Sequence, residues 1–201
     1  MYTIGIDEVG RGPIAGPVVV CACAIKDAVD IVKYFPKGIL RDSKKLSQKQ
    51  RLTILEAIKS HVETGEIRFG VGEVSAERID QIGIVPAIKE AMGLALTILH
   101  SEGVSNDSFV YLDGSLHAPE MYKQETVIKG DEKIPQISLA SIFAKGYRDD
   151  LMVELSKQYP GYGFESHVGY GTAAHYEALK NKGFCTLHRK TFLKNLIFEG
   201  D

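Results

Sequence analysis

Four carboxylates follow short apolar segments of the chain. Asp7 and Glu8 end the segment YTIGIDE, Asp113 ends FVYLD, and Asp131 follows ETVIKG. Carboxylates that converge repel one another and raise each other's pKa, so such a cluster is costly unless it holds a cation. Oxygen ligands without cysteine or histidine favour Mg²⁺ or Mn²⁺, and carboxylates around one or two such ions suit phosphoryl transfer. We therefore consider the four residues candidate catalytic and metal-binding groups, although each aspartate taken singly is more typical of an ordinary turn.

These acids act together only if strands bring them to one edge of a sheet. The hydrophobic patterns predict a buried, continuously apolar strand over residues 17–25 and an alternating strand over residues 66–75. Further strands are predicted in YTIGIDE, FVYLDGS and ETVIKGDEK. Because three strands joined by turns precede strands separated by helices, we expect an α/β fold with helices packed on a mixed sheet.

The helices are predicted from their caps and breaks. Ser47 is a plausible N-cap, and Leu52, Leu55 and Ile58 follow it at helical spacing. Residues 76–103 form a helical segment that we expect to break near Gly83–Pro86, because proline removes a backbone donor and clashes with the preceding turn. Two further helices are predicted, over residues 138–160 and around Thr172–Asn181.

The bulk composition restricts the class of protein. The chain has 201 residues, a net charge of −2 and 44% hydrophobic residues, which is typical of one globular domain. It has no apolar run of about 18 residues, so we expect no membrane span, and no secretory signal is recognisable at the N-terminus. The spacing of Cys21, Cys23 and Cys185 suits neither a disulfide framework nor zinc. A cytoplasmic location is the resulting expectation.

The turn GRGPIAG separates the first two predicted strands. Glycine allows a backbone to approach a ligand without a Cβ clash, and Arg11 adds a cation beside Asp7 and Glu8. The spacing is not that of a phosphate-binding loop of nucleotide hydrolases. The alternative is a hairpin turn with a surface arginine. A second basic stretch, Lys180–Lys194, contains no acidic residue and could be either a solvated end or a nucleic-acid contact.

Six motifs, in order along nearly the whole chain, resemble prokaryotic type 2 ribonuclease H (ribonuclease HII). They are IGIDEVGRGPIAGPVVVCA, RDSKKLS, YLDGS, KGDEKIPQISLASIFAKGYRDD, YPGYGFESHVGYGTAAH and HRKTF. The resemblance implies a ribonuclease H-like five-stranded mixed sheet flanked by helices. It implies one catalytic domain over residues 1–201, in which about 159–201 form a small helical segment that contacts the substrate.

The resemblance also implies an activity. Such enzymes are metal-dependent endoribonucleases that hydrolyse the RNA strand of RNA–DNA hybrids. They also incise duplex DNA on the 5′ side of single embedded ribonucleotides, leaving 3′-hydroxyl and 5′-phosphate ends. The expected cofactor is Mg²⁺ or Mn²⁺, in a two-metal mechanism with in-line attack by a metal-bound hydroxide.

The family pattern falls on individual residues of this chain. Asp7, Glu8, Asp113 and Asp131 match the family's four carboxylates, and Gly10–Arg11–Gly12 match its substrate-reading turn. Tyr170 matches a tyrosine that stacks on the sugar next to the ribonucleotide. The remaining candidate contacts to the substrate, mostly to backbone phosphates, are Ser43, Lys44, Lys45, Lys145, Arg148 and Thr172. We assign no catalytic role to His167, His175 or His188 and expect structural hydrogen bonds to the backbone.

The chain departs from the family pattern at a few positions. Val168 stands where the family usually has lysine, which removes a probable phosphate contact. Gly146 replaces an apolar residue inside a predicted helix, which predicts local flexibility because glycine weakens a helix by about 1 kcal/mol. The terminal sequence IFEGD carries no recognisable clamp-binding motif. We expect a monomer, because nothing in the sequence marks an interface. The expected partners are RNA–DNA hybrid and ribonucleotide-containing DNA, and no membrane association is expected.

Three other functions remain open from the sequence. Type 3 ribonuclease H shares the carboxylates but usually carries an additional domain before the Asp–Glu pair, whereas Asp7 lies almost at the start here. A binding module without turnover would be expected to lack a carboxylate. A hydrolase of small phosphoesters would leave the basic residues without a purpose.

Overall fold

The computed structural model describes residues 1–36 and 46–194, and within them it contains a single five-stranded mixed sheet. The strand order is β3-β2-β1-β4-β5, with β1 antiparallel to β2, β2 antiparallel to β3, and β1, β4 and β5 mutually parallel. The strands are β1 Tyr2–Val9, β2 Val18–Lys26, β3 Ile67–Val74, β4 Phe109–Asp113 and β5 Gln124–Val127. The expected five-stranded mixed sheet of an α/β protein is confirmed.

The described helices follow the predicted order. They are α1 Gln48–Ala57, α2 Lys59–Glu63, α3 Ala76–Ile82, α4 Ile84–Ser101, α5 Pro135–Gln158, α6 Phe164–His167 and α7 Ala173–Lys182, with short 3₁₀ turns at Val32–Tyr34, Gly130–Glu132 and Lys190–Phe192. Ser47 caps α1 in a capping box with Gln50, as its residue type predicts. The predicted break near Gly83 separates α3 from α4.

The apolar face of α1 differs from the prediction. The structure buries Ile54 and Ile58, whereas Leu52 is 59% exposed. Ile54 and Ile58 are four residues apart and therefore lie on one face of the helix. They pack in a cluster that also contains Cys21, Cys23 and residues of α5. Leu52 was therefore a wrong guide to the buried face of α1, because hydrophobicity alone does not tell which face of a helix meets the sheet.

The sheet is covered on both faces, and β2 is buried almost throughout, as its continuously apolar sequence predicts. α4 packs on one face, against β3 and β2. Gly70 and Gly72 allow this close approach, since a Cβ on either would lie about 2 Å from the α4 carbonyls of Ala95 and Ala91. By length and composition α4 alone among the described helices could cross a membrane, but seven of its residues are buried in this packing.

The opposite face carries α5, which contacts β1 and β2. Beyond α5, a third apolar cluster joins the C-terminal segment to the turn that follows β1. It contains Ile14, Ala15, Met152, Tyr162, Phe164, Leu179 and Leu193. This cluster places the described part of the C-terminal segment, residues 159–194, next to the turn that the sequence singles out.

Candidate active site

Asp7 and Asp113 lie on adjacent strands at one end of the sheet. In the parallel pair of β1 and β4, Ile6 is opposite Leu112, so the next positions along the two strands are Asp7 and Asp113. Neighbouring strands are about 4.8 Å apart. Both aspartates are buried. Asp7 shares a sheet face with its partner Cys21, whose pKa is raised by burial and by the Asp7 charge.

Asp131 lies in a turn and not at the end of a strand. β5 ends at Val127, and Asp131 lies in the 3₁₀ turn Gly130–Glu132, so the prediction that a third strand ends in acid is wrong. The turn is nevertheless fixed to β4, because Asp113 Oδ1 accepts a hydrogen bond of 2.7 Å from the Gly130 amide. Ser138 Oγ donates to the Asp131 carbonyl at 2.7 Å, which ties the same turn to the start of α5.

Glu8 is less buried than Asp7, as the alternation of a strand predicts for adjacent residues. The Glu8 amide donates to Asp7 Oδ1 at 2.8 Å. Arg11 Nη1 lies 3.7 Å from Glu8 Oε1, and the Arg11 side chain is 50% exposed. An ion pair this long and exposed is weak. Arg11 can therefore exchange Glu8 for an anionic ligand at little cost.

A cleft of about 360 Å³ opens beside Asp7 and Glu8. Five predicted substrate contacts line this cleft together with the first two carboxylates. The five are Gly10, Arg11, Gly12, Lys145 and Tyr170. The lining residues are Asp7, Glu8, Val9, Gly10, Arg11, Gly12, Arg51, Ser141, Lys145 and Tyr170.

The donor set at this edge fits a hard divalent cation that is bound in an open site. Within residues 1–36 and 46–194, no three or more His, Cys, Asp and Glu side chains are arranged so that they could hold a metal ion. Mg²⁺ does not require such a cage, because it keeps several waters and binds through one or two carboxylates together with substrate phosphates. Buried carboxylate oxygens beside a solvent-filled cleft provide that arrangement.

Two cleft residues were missed from the sequence, Arg51 and Ser141. Arg51 Nη2 forms an ion pair of 3.3 Å with Asp149, which also holds Lys145 Nζ at 2.7 Å. Asp149 therefore positions two cations of the cleft wall, Arg51 from α1 and Lys145 from α5. The Arg51 Nε–H is buried and has no hydrogen-bond acceptor among the described residues. The sequence offered one signal for Arg51, its position four residues after the N-cap Ser47. It offered none for Ser141.

Arg148 does not face the cleft, which corrects the expected phosphate contact. Its side chain is fully buried. Its guanidinium donates to the carbonyls of Pro17 at 3.0 Å, Val168 at 2.9 Å and Ala15 at 3.2 Å. Burial lowers its pKa. Arg148 is thus a structural cation that joins α5 to the turn after β1 and to the segment before Tyr170.

The three histidines form the structural contacts expected of them. His167 Nε2 lies 2.8 Å from the Tyr162 carbonyl, and His175 Nδ1 lies 2.9 Å from the Tyr170 carbonyl. His175 Nε2 and His188 Nε2 are 3.1 Å apart, and the Cys185 amide donates to His188 Nδ1 at 2.9 Å. One set of neutral tautomers satisfies this whole chain of contacts: His188 donates to His175, which donates to the Tyr170 carbonyl.

Burial favours the neutral form of His175 and His188. It lowers the pKa of His175, and burial together with His175 lowers the pKa of His188 to about 4. The hydrogen-bonded histidines therefore fix the backbone at Tyr170 from the buried side, while Tyr170 itself is 43% exposed on the cleft.

The other predicted contacts lie elsewhere or outside the described residues. Thr172 is the N-cap of α7, and its hydroxyl accepts the His175 amide at 3.3 Å. Val168 adopts φ 43°, which is unusual for a β-branched residue. The basic end is also not simply solvated, because Arg189 is fully buried. Ser43, Lys44 and Lys45 lie outside the described residues.

The sequence of the chain matches one family model and similar relatives of the same name. The family model described as Ribonuclease HII matches residues 4–195. Ribonuclease HII of Chlamydia abortus is 48% identical over 192 residues, covering 94% of this chain and 82% of the relative. Ribonuclease HII of Chlamydia muridarum is 48% identical over 198 residues, covering 98% and 85%.

Solved structures agree on the fold. Ribonuclease HII from Archaeoglobus fulgidus, in a complex with PCNA, is 26% identical, with a TM-score of 0.74 and coverage of 99% of this chain and 97% of that one. The Mn²⁺ complex of Bst-RNase HIII is 18% identical, with a TM-score of 0.62, and covers 96% and 64%. This second likeness shows a shared fold only.

Proposed function

The chain belongs to the ribonuclease HII family, and on that premise we propose that it incises duplex DNA on the 5′ side of single embedded ribonucleotides. Family membership makes it an endonuclease of the ribonuclease H type, which cleaves the RNA strand of RNA–DNA hybrids, and it favours type 2 over type 3. The proposed products carry 3′-hydroxyl and 5′-phosphate ends. The observation that carries the proposal is the cleft that unites Asp7 and Glu8 with Gly10–Gly12 and Tyr170.

The proposed catalytic and metal-binding residues are Asp7, Glu8, Asp113 and Asp131. The register of β1 and β4 and the hydrogen bond from Gly130 support their convergence. One or two Mg²⁺ or Mn²⁺ ions held there would activate the attacking water and neutralise the leaving oxygen. A cation bound there would offset the mutual repulsion of the buried carboxylates. The protein thus supplies a fixed negative site that is completed when metal and substrate phosphate arrive together.

The selection of ribonucleotides is assigned to the turn and the tyrosine. Locally only the 2′-hydroxyl distinguishes RNA from DNA. Gly10–Arg11–Gly12 line the cleft beside Glu8, where backbone groups and Arg11 can reach a hydroxyl or its phosphate. Tyr170 stands on the same cleft, so its exposed ring can stack on the adjoining sugar. An aromatic platform and a polar turn on one cleft suit recognition of a junction between two sugars.

Lys145 is proposed to contact the backbone phosphate, because it lines the cleft and is held by Asp149. Ser43, Lys44, Lys45 and Thr172 remain proposed contacts on the strength of the resemblance alone. Contacts of this kind position a duplex without reading sequence. We further propose that the protein acts as a cytoplasmic monomer. Its Archaeoglobus relative is in a complex with PCNA.

The decisive experiment uses a labelled DNA duplex with one internal ribonucleotide, incubated with the protein and Mg²⁺, and a parallel sample with EDTA. A long RNA–DNA hybrid serves as the second substrate, and D7N as the inactive control. We expect metal-dependent incision 5′ of the ribonucleotide. Cleavage of the hybrid alone would remove the junction specificity and leave only the general activity of the family.

A further inference from the structure

A second side chain holds the turn of residues 10–12 from behind. Arg189 is fully buried and donates to three carbonyls: Gly10 through Nη2 at 2.6 Å, Arg11 through Nη1 at 3.2 Å and Gly16 through Nε at 2.9 Å. Two of these carbonyls belong to the proposed substrate-reading turn. Arg189 itself does not line the cleft.

These hydrogen bonds fix which way the peptide groups of the turn face. In a trans peptide the carbonyl and the following N–H point in opposite directions, and the structure contains no cis peptide in the described residues. Because Arg189 holds the Gly10 and Arg11 carbonyls on the buried side, the amides of Arg11 and Gly12 point away from it. Neither amide donates to an acceptor within the described part of the chain. The amides are therefore presented on the cleft side, where residues 10–12 form the wall.

The backbone segment that carries Arg189 is hydrogen-bonded to the end of the turn. Its amide donates to the Ile14 carbonyl at 2.8 Å, and the Gly16 amide donates to the Leu187 carbonyl at 2.8 Å. A β-bridge joins Ala15 to His188. The segment 187–189 thus runs along the turn as a short partner strand and places the guanidinium beneath residues 10 and 11.

On its far side the segment is anchored to α3 through Asp80. The Asp80 carboxylate accepts the amides of Lys190 at 2.8 Å and Thr191 at 2.9 Å, and it accepts the Thr191 hydroxyl at 2.5 Å. One carboxylate thereby caps the 3₁₀ turn Lys190–Phe192 that begins directly after Arg189. The Arg189 guanidinium also stacks over the Phe192 ring, with its Cζ 5.2 Å from the ring centroid.

The choice of an arginine here is chemically unusual. A buried guanidinium is unfavourable unless it is paired, and Arg189 forms no ion pair with a described carboxylate. Its charge is offset by the three carbonyl dipoles, by the Phe192 ring and, at longer range, by the Asp80 carboxylate. Only the planar fork of arginine serves three carbonyls at fixed angles. An apolar residue could fill the volume, but it could not orient the peptides of the turn.

We propose that Arg189 is a positioning residue for ribonucleotide recognition: it orients the Gly10 and Arg11 peptides so that the Arg11 and Gly12 amides face the cleft, and Asp80 fixes Arg189. The inference rests on the proposed function of residues 10–12 and extends it. Arg189 touches neither substrate nor metal in this arrangement. Its loss should therefore affect selectivity for the junction more than the chemical step.

The test compares R189M with L99A on the two substrates named above. Leu99 is also fully buried, but it lies in α4 on the opposite face of the sheet, so L99A reports general destabilisation. All assays are run well below the melting temperature of the weakest variant. We expect R189M to lose about 10- to 100-fold more kcat/KM on the single-ribonucleotide duplex than on the long hybrid, and L99A to lose the same factor on both.

Conservative variants keep the test informative if R189M does not fold. R189K retains the charge but not the fork, and should recover part of the selectivity. D80N retains the shape of the anchor and removes its charge, and should lower selectivity in the same direction by a smaller factor. Equal losses on the two substrates for R189M, R189K and D80N would overturn the proposal.

A second measurement separates failure of this inference from failure of the proposed function. The amide resonances of Gly10, Arg11 and Gly12 are followed by ¹H–¹⁵N NMR in the wild type, R189M, D80N and L99A. We expect these resonances to shift or broaden in R189M and D80N and to stay in place in L99A. If the wild type cleaves only long hybrids, the proposed function fails. The amide resonances still show whether Arg189 positions the turn. Unchanged resonances in R189M would overturn the positioning role whatever the substrate.

Discussion

The two sides of the turn after β1 use arginine in opposite ways. On the cleft side Arg11 is half exposed and has one long ion pair with Glu8. On the buried side Arg148 and Arg189 are fully enclosed, and each donates three hydrogen bonds to carbonyls. The exposed arginine can change partners, whereas the buried two cannot leave without stranding several acceptors. The same residue type thus serves ligand binding on one side and shape on the other.

This difference predicts two classes of variant. Changes on the cleft side should reduce activity while the free energy of unfolding stays nearly constant. Changes on the buried side should mainly reduce the free energy of unfolding. They should also reduce activity, because the turn loses its shape.

The sharpest cleft-side test is D7N. We expect cleavage of both substrates to fall by at least about 100-fold, because a carboxylate needed to hold the divalent ion is lost. Duplex binding should largely persist. The free energy of unfolding should stay equal or rise slightly, since asparagine still accepts the Glu8 amide and one buried charge disappears. Cleavage rates, gel-shift binding and urea unfolding give the three readouts. Unchanged turnover in D7N would refute the assignment.

The sharpest buried-side test is R148M. Three carbonyls, those of Ala15, Pro17 and Val168, lose their partner. Because each buried acceptor left without a donor costs about 1–3 kcal/mol, we expect the free energy of unfolding to fall by about 3 kcal/mol or more, measured by urea denaturation. R148K, which can satisfy only some of these carbonyls, should fall between R148M and the wild type. A loss below about 1 kcal/mol in R148M would mean that the buried arginines are not the supports described here.

The histidine chain extends the buried side to a pH dependence. The pKa of His188 is about 4 in the folded protein and 6.5 in a free side chain. Between these values the unfolded chain takes up a proton that the folded protein does not. Stability is therefore present above pH 6.5 and is lost as the pH falls towards 4, by up to about 1.4 kcal/mol per pH unit for this group.

Urea midpoints at pH 7 and pH 5 measure this loss. H188N should flatten the pH dependence, because it removes the group that titrates. H117N is the matched control, since His117 is exposed, and it should leave the dependence unchanged. An equal slope in H188N and the wild type would show that the chain of histidines does not determine stability in this range.

A finer cleft-side test is Y170A. Stacking of an aromatic side chain on a nucleotide contributes about 1–3 kcal/mol. We expect cleavage of the single-ribonucleotide duplex to fall about 10-fold or more relative to the long hybrid, with Y170F close to the wild type. Stability should change by less than about 0.5 kcal/mol, because the ring is exposed and the histidine chain holds the carbonyl. Equal losses on both substrates would remove the stacking role.

The smallest expected effect is a gain of stability in G146A. Gly146 lies inside α5, and a Cβ there meets no atom within 4 Å. Alanine should raise the free energy of unfolding by about 0.5–1 kcal/mol, measured by thermal and urea unfolding. G93A in α4 is the matched control, because Gly93 is equally open. A loss of activity in G146A alone would show that flexibility next to Lys145 is used on the cleft side.

The sequence predicted the local elements well for physical reasons. The β2 strand, the Ser47 cap and the break at Gly83 each depend on neighbouring residues only, and all three are confirmed. The four carboxylates were singled out because several predicted strands are each followed by an acid and because the same residues match the family pattern. Asp131 was placed on the wrong element, since a 3₁₀ turn after β5 has no hydrophobic period.

The buried side of the turn could not be predicted. Arg148 lies in a polar stretch of α5, and Arg189 lies in a basic segment, so both are typical of exposed residues. Their burial depends on carbonyls that are distant in sequence and whose directions follow from the tertiary fold. Arg51 was missed for a similar reason, because Asp149, which holds it, lies on another helix.

The hydrogen bond between Asp113 and the Gly130 amide also bears on biosynthesis. β1 is made first, but the proposed carboxylate centre needs β4 to pair with β1 and the turn behind β5 to close on Asp113. Such contacts between distant parts of a chain form late and slowly. The proposed centre can therefore assemble only after synthesis has passed Asp131, whatever the order in which the helices fold.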